Sequence, residues 1–368
     1  MAKKSQQSNE GAYLAQAARH PRYCAVDYPK GFMPVKPGAG RPDERTRLLR
    51  ETAYKWLNGT RIRFWFYNKP KAWAGTEADK AVVRQAFQMW KALGIGLEFA
   101  EVQNQAEADV RIAFLQGDGS WSYIGTDNLT KRDDPRTMNF GWSLTDDPAE
   151  GLDTALHEIG HTLGFPHEHQ NPFAGIVWDE PAVYKALAAP PNSWSKATTK
   201  HNIIDKLVAD KVQGSSWDPN SIMHYPFEAG LIVQPKKYAK GLHPKGGLSA
   251  RDRKWARDFY PPIKAQAAKT LTPFKANSLF LNSGQQADFK FHAIETRDYE
   301  FRTFGDADAL MALYRQAQPA GKPLAQEDDG GTEDNAHLKV HLDAGQDYVL
   351  RLRLRYAKQP GQAAVMVW

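Results

Sequence analysis

Polar and apolar positions repeat with two different periods along this chain, and the change of period divides it. RIRFWFYN (61–68), GLEFAEV (96–102) and DVRIAFL (109–115) alternate as half-buried strands do. Between the first two, Val82, Val83, Ala86, Phe87 and Trp90 recur at three- and four-residue spacing, which predicts an amphipathic helix near 77–93. Leu48, Leu49, Thr52 and Trp56 predict an earlier helix from Asp43 to about Leu57. TMNFGW (137–142) reads as a short exposed strand, and a further helix begins near Leu152. Interleaved helices and strands imply an α/β or α+β sheet.

After Tyr260 the run PPIKAQAAKTLTP reads as a linker. Beyond it only strand patterns occur: DYEFRTF, LMALYR, HLKVHL, DYVLRLRLRY and AAVMVW, separated by Gly and Asp turns. That predicts an all-β sandwich of roughly 100 residues. In the fourth strand Leu350, Leu352 and Leu354 alternate with Arg351, Arg353 and Arg355, so one face is expected in the core and the cationic one in solvent. The expected division is a basic N-terminal extension at 1–55, a mixed α+β domain at 56–262 and the sandwich at 263–368.

Composition narrows the class. The chain has 368 residues, 42% hydrophobic and 24% charged, as folded domains do. The apolar runs are too short for a membrane span, so a soluble protein is expected. The net charge of +6 lies wholly on residues 1–55, which carry 11 Lys/Arg against 5 Asp/Glu. No nucleic-acid groove is therefore expected in the body. A single cysteine, Cys24, excludes an internal disulfide and leaves the compartment open.

The chemistry concentrates in LDTALHEIGHTLGFPHEHQ (152–170). His157 and His161, four apart on a helix, share one face and can hold one Zn²⁺. Glu158 lies beside the metal's open position. Gly164 lets the helix end, and the turn brings His167 back as a third ligand. Three protein ligands leave a position for water, the catalytic arrangement. H-E-x-x-H alone arises by chance in about one such chain in 70, and the added Gly and His make it roughly one in 30,000. A ligand set is thus preferred over satisfied helix histidines.

SIMHYPF (221–227) has the shape of the Met-containing turn beneath the zinc of metzincin peptidases. With this turn the chain resembles the astacin-like branch of that clan over roughly 56–262, ending at LSARDRKWARDFYPP. The resemblance implies a twisted mixed sheet with an active-site helix, one Zn²⁺ per chain and hydrolysis of peptide bonds in protein or peptide substrates. It implies Tyr225 as a metal-binding tyrosine that swings away to stabilise the oxyanion, with Glu158 as general base. It also implies an extended substrate antiparallel to an edge strand, expected near 137–142. Glu168 matches the residue that pairs with a buried mature N-terminus in astacins, whereas the following HQNPFAGIVWDEPAVY departs from their signature and their disulfides cannot form here.

Smaller signals stay open. Cys24, in HPRYCAVDYP, is loosely similar to the thiol switch of matrix metalloprotease propeptides, with Asp27 as a second candidate; a plain buried cysteine is the preferred reading. His169 is read as supporting or solvent-facing, and His224 as structural. The C-terminal segment resembles pre-peptidase C-terminal domains, some of which bind calcium. Asp306, Asp308, Asp328 and Asp329 offer oxygen ligands for Ca²⁺, although acids that cap turns are the preferred reading. A monomer is expected, secreted without a Sec signal, with a cytoplasmic location as the alternative. The rival functions are a silent zinc-containing peptide binder and an amidohydrolase acting on cell-wall peptides.

Overall fold

A computed structural model of the chain describes residues 21–26, 54–56, 58–130, 135–207, 217–262, 268–281, 286–307, 309–319, 323–327, 331, 335–354 and 361–368. The helix predicted at 43–57 lies largely outside them. Its described end, 54–56, is not helical.

The first half is built on strand β1 (Arg61–Phe66), in which Ile62, Phe64 and Phe66 point inward. Helix α1 (Glu77–Lys91) covers them with Val83, Phe87 and Trp90. It starts at a reciprocal cap, Thr76 with Asp79. Strands β2 (Glu98–Glu101), β3 (Val110–Ala113), β4 (Trp121–Ser122) and β5 (Met138–Asn139) complete a sheet of order β2-β1-β3-β5-β4. All its neighbours are parallel except β4 against β5. The exposed strand expected at 137–142 is therefore interior, with Met138 and Asn139 buried, and the edge on that side is β4. A two-residue strand such as Trp121–Ser122 is too short for period-2 alternation to register.

Helix α2 (Pro148–Thr162) packs beside α1, and the Trp90 indole donates to the Leu156 carbonyl at 3.1 Å. It begins before the expected Leu152, because Asp147 caps the amides of Ala149 and Glu150 and Pro148 fits the first turn. It stops where Gly164 takes φ +93°, as read from the sequence.

The chain then builds a second core from β6 (Val177–Trp178), α3 (Glu180–Ala188), β7 (Ile232–Gln234) and the 221–227 turn. Tyr23, Cys24 and Val26 of the N-terminal extension belong to that core. Helix α4 (Ala250–Phe259) closes the unit.

The C-terminal part consists of β8 (Lys269–Thr270), β9 (Asn277–Leu281), β10 (Gln286–His292), β11 (Arg297–Gly305), β12 (Ala309–Arg315), β13 (Ala325–Glu327), β14 (His337–Leu342), β15 (Asp347–Leu354) and β16 (Gly361–Val367). They form two sheets, β13-β12-β15-β10-β8 and β14-β11-β16-β9, around one core that includes Phe289, Phe301, Leu350 and Val365. The expected linker contains β8, and β9 and β10 went unread.

The arginine stripe needs correction. Arg351 and Arg353 are buried, as are Leu310, Ala312 and Tyr314 on the same face. Arg351 pairs with Asp288 at 3.0 Å, and Arg353 Nη1 donates to the Trp56 carbonyl at 3.2 Å. Alternation separates two faces of a strand but does not say what covers the outer one. Arg355 lies outside the described residues, as do Asp27, Asp308, Asp328 and Asp329 among the other candidates. Among the described residues no helix is long and apolar enough to cross a membrane.

Candidate active site

Helix α2 presents His157 and His161 on its buried face, and the turn after Gly164 returns His167 to them. The three rings are oriented from behind. Nδ1 of His157 donates to the Ile222 carbonyl at 2.7 Å and Nδ1 of His161 to the Phe165 carbonyl at 2.8 Å. Nδ1 of His167 faces Gln170 Oε1 at 3.4 Å. A carbonyl only accepts, so these contacts put the proton on Nδ1 and turn the Nε2 lone pairs inward.

The lone pairs converge. Nε2 of His161 and Nε2 of His167 are 3.2 Å apart, an arrangement that invites a cation between them. Burial holds all three imidazoles in the neutral, ligating form and lowers His157 to about 4. Glu158, also buried, leaves Oε2 without a hydrogen-bond partner among the described residues, and burial pushes its carboxyl up. Three inward nitrogens beside a buried carboxyl with one oxygen unpartnered among the described residues fit a zinc ion.

Cys24 occupies the centre of this group. Its Sγ lies 3.3, 3.4 and 3.0 Å from Nε2 of His157, His161 and His167, and 2.9 Å from Tyr225 Oη. These four ligand atoms, three nitrogens and one sulfur, all lie within 4.8 Å of one another. Cys24 is buried, as read, but its surroundings are candidate ligands as well as apolar side chains. No local pattern spans a sequence separation of 133 between Cys24 and His157. Burial, followed by the Glu158 charge, pushes the thiol up; a metal cation acts in the opposite sense.

The Tyr225 hydroxyl stands 2.5 Å from His167 Nε2 and donates to the Cys24 carbonyl at 2.6 Å. Met223 underlies the helix, and a Cβ on Gly160 would meet its Sδ at 2.3 Å. Asp252, unread in the sequence, accepts from Ser221 Oγ at 2.6 Å and from the Ile222 amide at 2.8 Å. It thus fixes the turn whose carbonyl orients His157. Helix α4's capping position was the available signal, since Asp252 follows Ser249 by three.

His169 and His224 stand outside the converging set. His169 Nε2 donates to the Asn202 carbonyl at 2.8 Å, and His224 Nδ1 to that of Tyr225 at 2.7 Å. Glu168 accepts from the Asp218 amide at 2.8 Å and from Asn171 at 3.1 Å. Burial raises it to about 7. A cleft of about 310 Å³ beside Glu158 is lined by Trp142, Glu150, Asp153, Thr154 and Pro244.

The sequence pattern of astacin (peptidase family M12A) matches residues 49–184. A solved structure of myroilysin is 33% identical, superposes with a TM-score of 0.52, and is covered over 98% of its length by 58% of this chain. Karilysin of Tannerella forsythia is 25% identical over 198 residues, 45% of this chain and 41% of its own. Bone morphogenetic protein 1 of Xenopus laevis is 25% identical over 194 residues, 50% of this chain and 24% of its own. The chain therefore spans less than half the length of these curated relatives. Its own sheet, helix, histidine triad and Met turn agree with the near-complete coverage of myroilysin, and the chain belongs to the astacin family of metallopeptidases.

Proposed function

We propose that this protein is a zinc-dependent endopeptidase held latent by its own Cys24. The observation that carries the reading is the convergence of three Nε2 atoms and one Sγ beside a buried Glu158. His157, His161 and His167 would hold the metal. Zinc bound there would polarise the scissile carbonyl and lower the pKa of a water.

The chain's own groups supply the rest. Glu158 is placed to take the proton of the attacking water and return it to the leaving amine. Its raised affinity for protons suits both transfers. The Tyr225 hydroxyl, which donates to the Cys24 carbonyl here, is placed to donate to the substrate oxyanion once Cys24 leaves. The edge strand β4 is the wall available for main-chain pairing with an extended peptide. An intact, buried Glu158 favours this reading over a silent peptide binder.

The test measures zinc content and casein hydrolysis for the full chain, Cys24→Ala and Cys24→Ala/Glu158→Ala, with and without 1,10-phenanthroline. We expect one zinc per chain in all three and chelator-sensitive cleavage only in Cys24→Ala. Absence of zinc, or cleavage that survives loss of Glu158, would sink the proposal. Cleavage of peptidoglycan peptides but not casein would move it to the amidohydrolase reading.

A further inference from the structure

Residue 23, the neighbour of Cys24, is held in a pocket of its own. The Tyr23 ring stands 4.9 Å from Tyr225, 5.7 Å from Phe227 and 6.2 Å from Trp194, centroid to centroid. It is 5% exposed. Its hydroxyl donates to the Pro226 carbonyl at 2.9 Å, so the pocket matches a phenol and not merely an aromatic ring. The main chain is gripped separately. Asn192 accepts from the Tyr23 amide at 3.0 Å and donates to the Pro21 carbonyl at 3.0 Å. Asn202 accepts from the Val26 amide at 2.8 Å. Between Asn192 and Trp194, Ser193 is held at φ +51°, a conformation that costs a non-glycine residue free energy. The strained residue turns one neighbour to the peptide backbone and the other to the phenol ring.

These are features of a peptide-binding subsite, and its walls Tyr225 and Phe227 are buried in the second core. We infer that this pocket is a specificity subsite for a tyrosine side chain of the substrate next to the scissile bond. In the latent chain Tyr23 fills it in the substrate's place. The position follows from Cys24, which is one residue away and sits at the reacting centre. Selectivity follows from the Pro226 carbonyl, which phenylalanine would leave unpartnered. Only the consequence for cleavage rests on the peptidase reading; the binding preference does not.

The experiment uses the full chain carrying Tyr23→Gly and Cys24→Ala, so that its own segment no longer competes. Calorimetry in EDTA measures the affinity of acetyl-His-Pro-Arg-Tyr-Ala-Ala-Val-amide and of versions with Phe or Ala replacing its Tyr. We expect about tenfold weaker binding for Phe and about a hundredfold for Ala. Adding Trp194→Ala should shrink the spread among the three peptides. Adding Asn192→Ala should weaken all three alike, because it holds main chain. With zinc restored, a mixed peptide library should show tyrosine enriched beside the cleaved bond. Equal affinity for the three peptides would overturn the subsite, whether or not they are cut. Tyrosine-selective binding without any cleavage would uphold the subsite and overturn the peptidase reading.

Discussion

Cys24 stands among the three inward histidine nitrogens, so under the proposed function a single sulfur separates latency from activity. Replacing it with alanine leaves the three histidines and their backbone partners untouched. The Cys24→Ala full chain should therefore hydrolyse casein without any activating treatment, as a time course beside the parent chain would show. On that background Tyr225→Phe removes only a hydroxyl. It should retain zinc and lower kcat about 10²-fold with little change in KM; an unchanged kcat would end the oxyanion role. His157, Glu158 and His161 were readable because their spacing is local and helical, His167 because it follows the glycine stop, and Tyr225 only through the resemblance of the 221–227 turn. Cys24 was not, because its partners lie more than 130 residues away in sequence.

Helix α2 and the turn beneath it work as one support. The Met223 thioether lies where a Cβ on Gly160 would go, so no side chain fits at 160 unless the Met223 side chain shifts. Gly160→Ala should cost about 1–3 kcal/mol by overpacking, read as a lowered midpoint in urea. Asp252 ties the start of α4 to the turn that orients His157. Asp252→Ala should weaken zinc binding about 10–100-fold while α4 retains its Ser249 cap, a combination that metal titration with circular dichroism would detect. The helix and its glycine stop were readable from pattern. Strand β4 was not, since two residues carry no period, and neither were Asn192 and Trp194, which owe their roles to a strained turn.

At the scale of the whole molecule, the sandwich meets the peptidase unit through charge placed away from water. Arg353 reaches the Trp56 carbonyl, and the neighbouring Lys55 ammonium packs 4.4 Å from the Phe259 ring centroid. Burial, followed by the Arg353 charge, lowers Lys55 to about 7 from its ordinary 10.5. Between those values the unfolded chain binds more protons than the folded one, so this group makes stability rise as pH goes from about 7 towards 10.5. Thermal melts from pH 6.5 to 9.5 should show that rise, and Lys55→Met should flatten it. Parallel curves for the two proteins would refute this account of the half-buried lysine. The stripe of Arg351 and Arg353 was expected in solvent because alternation alone is blind to what packs over a sheet.

By itself the sequence determined those features written in local spacing. These are the helical H-E-x-x-H with its glycine stop, the third histidine, the Met turn, the strand periods and the shift to all-β texture after Tyr260. Each depends on contacts within a few residues, where backbone geometry alone sets which side chains share a face. Tertiary structure alone decided which strand became the edge, that Cys24 fills the centre of the histidines, that Tyr23 has a fitted pocket, and that two arginines were buried, one of them against Trp56. Those outcomes depend on residues brought together from distant parts of the chain, a matter of packing that no local pattern encodes.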